Sequence, residues 1–106
     1  MNIEELREYV LELPDVSEGF PFGTSVLVFK INAKIFLLLP LDVQPLQFNV
    51  KCDPEKAIEY REAYPDTILP GYHMNKKHWN TIVVDGRLTT RQLKEMIAHS
   101  YQLVKK

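Results

Sequence analysis

The chain has 106 residues, a formal net charge of −1, 45% hydrophobic residues and 25% charged ones. These values suit a single globular domain with one modest core and exclude a disordered chain. The longest apolar run, IFLLL at 35–39, is far below the ~20 residues of a membrane-spanning helix.

Charge is spread unevenly. Residues 1–20 hold six acids and one base, whereas residues 73–106 hold seven bases and two acids. Such asymmetry marks either an anion-binding face or two elements that neutralise each other. The acidic start (Glu4, Glu5, Glu8) reads as a helix rather than a signal peptide. The single cysteine, Cys52, can form no internal disulfide, which fits a reducing cytoplasm.

In chain order, Asn2 and Glu5 form a capping-box pattern ahead of Ile3, Leu6, Val10 and Leu13 at helical spacing. Pro14 stops that helix. A loop ending in Pro21-Phe22-Gly23 follows. Ser25–Lys30 and Lys34–Leu39 read as two strands joined by a tight turn at Asn32-Ala33, with Asn32 taking the left-handed backbone. Gln47–Lys51 alternates polar and apolar as a half-buried strand.

Asp53-Pro54-Glu55 opens a second helix to about Ala63, with Ala57, Ile58 and Arg61 on one side. Thr67–Leu69 is a candidate short strand, Pro70-Gly71 a turn, and about Lys77–Val84 a further strand with Trp79, Thr81 and Val83 on one face. The alternation suggests Trp79 as a core anchor. Thr89 and Gln92 cap a last helix with the stripe Leu93, Met96, Ile97, Tyr101 and Val104. Short connections favour an antiparallel sheet with helices on one face.

Few chemistries fit. His73, His78, His99 and Cys52 lack the short fixed spacings of a metal site. Cys52 precedes a helix start, but Asp53 is adjacent and the alternation turns the thiol inward with Phe48 and Val50, so it reads as inert. No nucleophile elbow and no glycine-rich phosphate loop is present, so neither catalysis nor a cofactor is expected. The densest functional segment is PGYHMNKKHWNT at 70–81, which offers cations, planar rings and amides together.

That segment, with Pro21-Phe22-Gly23, the Lys51-Cys52-Asp53-Pro54-Glu55 junction and the closing Ser100-Tyr101-Gln102-Leu103-Val104, resembles the MmcQ/YjbR family over essentially the whole chain. The resemblance implies one α+β domain over 1–106, of order α-β(3)-α-β(2)-α, similar to secretion-chaperone-like domains. It also implies a "double wing" DNA-binding type among largely uncharacterised bacterial proteins, with no catalytic residues to carry over. Ala33 stands where a glycine is expected.

Two expectations follow. The first is a cytoplasmic DNA-binding protein, with Lys76, Lys77, Arg87 and Arg91 on phosphates and Asn75, His78 and Asn80 adding hydrogen bonds. The net charge of −1 argues against strong non-specific binding. The second is a protein- or small-ligand-binding domain with a pocket beside Tyr72, His73 and Trp79. No membrane partner is expected, and a monomer is the default oligomeric state.

Overall fold

The computed structural model describes residues 1–71 and 74–106. Three helices and six strands follow in the order α1 (Ile3–Glu12), β1 (Val16–Gly19), β2 (Val26–Ile31), β3 (Lys34–Pro40), β4 (Gln47–Lys51), α2 (Pro54–Ala63), β5 (Ile68–Pro70), β6 (Trp79–Val83) and α3 (Thr90–Lys105). The strands make one sheet, ordered β1-β2-β3-β4-β6-β5, and every neighbouring pair is antiparallel. The fold is the expected small α+β domain, with one strand added.

That strand is β1, which sequence reading leaves in a loop. Val-Ser-Glu-Gly carries no β-branched run, and its pairing with β2 makes it a strand. Arg7 of α1 binds Glu18 of β1 through its guanidinium and thereby holds helix and strand together.

The helix starts are where capping chemistry puts them. The Asn2 side chain accepts from Glu5 N at 2.8 Å, and Thr89 with Gln92 forms the reciprocal box on α3. Asp53 accepts from the backbone of Glu55 and Lys56 ahead of Pro54.

One face of the sheet is buried under the helices. Leu27 and Leu39, Phe29 and Leu37, Leu37 and Val50, and Val50 and Asn80 are ladder partners and share that face. Leu6 and Val10 of α1 and Leu93, Met96, Ile97, Tyr101 and Val104 of α3 close over it, with Phe48, Ile68 and Ile82 beneath. On α2 the buried residue is Ala57, whereas Ile58, expected beside it, is 51% exposed.

A register shift on β3 shapes the core. Phe29 pairs with Leu37 and Lys30 with Ile35, so Phe36 is the extra residue of a bulge. Phe36 and Leu37 both enter the core, and Ile35 returns to the other face. Phe36 meets Tyr101 edge to face, with ring centroids 5.6 Å apart. The Ser100 hydroxyl donates to the Phe36 carbonyl at 2.6 Å and accepts from Lys51 N at 2.9 Å. It thus bridges β3 and β4 beside the bulge. Tyr101 OH donates to the Pro14 carbonyl at 2.7 Å and ties α3 to the end of α1. The closing stretch at 100–104 therefore has a structural role at two of its residues, Ser100 and Tyr101.

Candidate functional site

All three helices lie on one face of the sheet, so among the described residues the opposite face is covered by loops alone. On it opens a basin of about 480 Å3. Its floor is Val26 of β2, Ile35, Leu38 and Pro40 of β3, Gln47 and Asn49 of β4, and Trp79 of β6. Four adjacent strands make it roughly 14 Å across at ~4.8 Å per strand. Phe22, Val43 and Met74 rise as walls from three separate loops. Phe22 is 65% exposed despite its size.

The lining is apolar except for Gln47 and Asn49. The Asn49 side-chain oxygen accepts from the Thr81 hydroxyl across the β4–β6 ladder, which fixes the amide at the floor.

Trp79 is not the core anchor that its β-strand pattern suggested. It is half-buried and faces the basin. Alternation correctly groups Trp79 with Thr81 and Val83, but it does not say which side the helices take.

The segment before Trp79 is a compact turn. The Asn75 carbonyl accepts from His78 N at 3.1 Å and Trp79 N at 3.0 Å. The Asn75 side chain accepts from Lys77 N at 3.0 Å. From behind, Arg61 of α2 donates to the Lys76 carbonyl at 3.1 Å. Gly71 N donates to the Trp79 carbonyl at 2.9 Å, and a Cβ on Gly71 would fall 2.8 Å from the Trp79 Cβ. Only glycine permits that approach. The strand accordingly begins at Trp79 rather than near Lys77. Tyr72 and His73, named for the ligand reading, lie outside the described residues.

The residues named for DNA contact are not assembled on one surface. Lys76 and Lys77 are exposed on the turn between Met74 and Trp79, two residues of the basin's lining. Arg87 follows the far end of β6, pairs with Asp85 at 3.3 Å and lies 4.0 Å from Asp66. Arg91 pairs with Glu95 at 3.2 Å on α3. Asn80 is 1% exposed on the helix side, where its amide donates to the Ala57 carbonyl at 3.4 Å. Asn75 is engaged in the turn, and the half-buried His78 gives its carbonyl to Cys52 N at 2.8 Å.

Sequence reasoning missed most of the basin: Val26, Ile35, Leu38, Pro40, Val43, Gln47, Asn49 and Met74, with Phe22 quoted only as part of a motif. A signal was present. β3 is apolar on both sides, and a strand with one solvated face alternates instead.

Cys52 is buried on the helix side, and desolvation, then the Asp53 carboxylate, push its thiol up to about 11. His99 accepts from Asp53 N at 3.3 Å. Burial first, and then Lys56, hold its imidazole below the ordinary histidine value. Among the described residues no helix is long and apolar enough to cross a membrane.

Comparison with known proteins places this architecture. The YjbR family model matches residues 11–103. The chain is 40% identical over 102 residues to the uncharacterised protein YbdF of Escherichia coli O157:H7, covering 95% of this chain and 82% of that protein. It is 28% identical over 102 residues to the uncharacterised protein YjbR of Escherichia coli K12, covering 96% and 86%. The crystal structure of Deinococcus radiodurans protein DR2400, a DUF419 domain, superposes with a TM-score of 0.94 at 40% identity over 99% of this chain and 79% of that one. A Pseudomonas syringae protein of 25% identity superposes with a TM-score of 0.80 over 98% and 99%. With a family model spanning the whole sheet, α2 and nearly all of α3, the chain belongs to the YjbR family.

Proposed function

We propose that this protein is a binding module that takes an apolar group into the basin on the open face of its sheet and performs no chemistry on it. One observation carries the reading. The chain's only tryptophan lines an apolar cavity of about 480 Å3 with Phe22 and Met74, on the face away from the core. Cavities of ~300–1,000 Å3 with apolar walls and a few fixed polar groups are typical of small-ligand sites. Gln47 and Asn49 would orient the guest. The buried Cys52 thiol, raised to about 11, is protonated at neutral pH and a poor nucleophile, which supports binding without catalysis. Its being a free thiol supports a cytoplasmic location.

The test is a titration with decanol, a neutral apolar probe, followed by backbone amide chemical shifts. Saturable shifts confined to the floor strands and the three wall loops are expected. Shifts on the helix side, or none, would sink the reading.

DNA is the second reading, supported by Lys76 and Lys77 standing exposed beside Trp79. In that reading the two lysines meet phosphates and a base enters the basin, without Arg87, Arg91 or Asn80. Anisotropy of labelled single-stranded and duplex DNA at several salt concentrations tests it. Affinity linear in log salt, with a shallower slope for Lys76→Ala/Lys77→Ala, is the expected signature of phosphate contacts. No binding at low salt removes this reading.

A further inference from the structure

The basin's face carries a charge that its lining does not reveal. Lys30 pairs with Ile35, and Lys51 pairs with Trp79, on the β2–β3 and β4–β6 ladders. Both lysines therefore share the face of the basin floor. Lys76 and Lys77 stand on the turn between Met74 and Trp79. Against these four cations the strands set no carboxylate. The only acid in any strand is Glu18, and it turns to the helix side to bind Arg7. The wall loops contribute one acid, Asp42. This face is thus cationic in a chain whose net charge is −1, and its cations lie along one end of the apolar floor, where β2 and β4 end and β3 and β6 begin.

Resting on the basin reading above, we infer that the occupant is a small amphiphilic carboxylate, its apolar body over Leu38 and Trp79 and its carboxylate among Lys51, Lys76 and Lys77. A neutral guest would leave the lysines unused. A polyanion would follow this row of cations and leave unused the apolar floor that runs from it through Leu38 to Val26 and Pro40. One anionic group at the rim of an apolar body matches that arrangement. The lysines are solvated, so the charge adds selectivity of surface-pair size rather than most of the affinity.

Trp79 reports occupancy directly, because no other tryptophan is present. Its emission is followed while decanoate, decanol and decylammonium are added at pH 7.5 and low salt, each below its aggregation concentration. Decanoate should bind about two- to fivefold tighter than decanol, as one surface charge pair gives. Decylammonium should bind weakest, and added salt should narrow the gap. In Lys51→Ala/Lys76→Ala/Lys77→Ala, with its fold checked by circular dichroism, decanoate affinity should fall to that of decanol on the unaltered protein. Equal binding of decanoate and decanol, or a preference that survives in the triple variant, overturns the carboxylate inference and leaves the basin reading standing. Failure of all three probes removes the basin reading and the inference together.

Discussion

Ser100 stands where the β3–β4 ladder has no partner to offer. Its hydroxyl links the Phe36 carbonyl and the Lys51 amide beside the bulge, and both are buried or half-buried backbone groups. Ser100→Ala leaves them without that bridge, so we expect a loss of about 2 kcal/mol in urea unfolding. Ala33 gives the opposite case. Asn32 and Ala33 have φ of 51° and 63°, so both turn residues are left-handed, whereas the sequence suggested Asn32 alone. Ala33→Gly relieves a Cβ clash at some entropic cost, and a gain of about 0.5–1 kcal/mol should appear in the same assay. His99 sets a pH dependence. Burial lowers its folded value, so on acidification the unfolded chain takes up this proton first. The stability it supports is full above the unfolded value of about 6.5 and is lost as pH falls from there towards the lower folded value. The imidazole is only partly buried, so the change stays below about 1 kcal/mol. Unfolding at pH 7.5 and 5.5 checks it, and His99→Gln should flatten that difference.

At the scale of elements, local chemistry was readable and long-range geometry was not. Asn2 with Glu5, Asp53 with Pro54, and Thr89 with Gln92 each announce a helix start, because a cap is a contact between residues three or fewer apart. β1 was invisible because Val16-Ser17-Glu18-Gly19 becomes a strand only by meeting β2 and Arg7. The bulge at Phe36 was equally hidden, since one extra residue in a register leaves no trace in a uniformly apolar run. Trp79 shows the same limit. Period-2 alternation sorts residues into two faces, and only the packed helices decide which face is core. The 70–81 segment stands out in the sequence for its residue types, and part of that composition serves packing. Gly71 is there to let the Trp79 backbone approach. Gly71→Ala should displace Trp79, cost about 1–3 kcal/mol in urea unfolding through overpacking and shift the tryptophan emission maximum.

For the whole molecule, the charge gradient along the chain is redistributed by folding. The acids of the first twenty residues include Glu18, which folding pairs with Arg7. The bases of the last third divide. Arg87 and Arg91 are taken up by carboxylates, while Lys76 and Lys77 stand exposed on the turn before Trp79, and Lys30 and Lys51 from the middle of the chain share the face of the basin floor. A count along the sequence therefore located an asymmetry without locating its surface. The sheet has one more property at this scale. Its two outer strands are β1 and β5. The first is four residues long and carries a charge, and the second is three residues long and ends in Pro70. Short, charged or proline-ended borders give an incoming strand little backbone to pair with. Despite a core strand as apolar as IFLLL, concentrated protein held just below its melting temperature should precipitate amorphously, without the thioflavin T signal of stacked sheets. A fibrillar product would mean that the sheet opens before its borders can protect it.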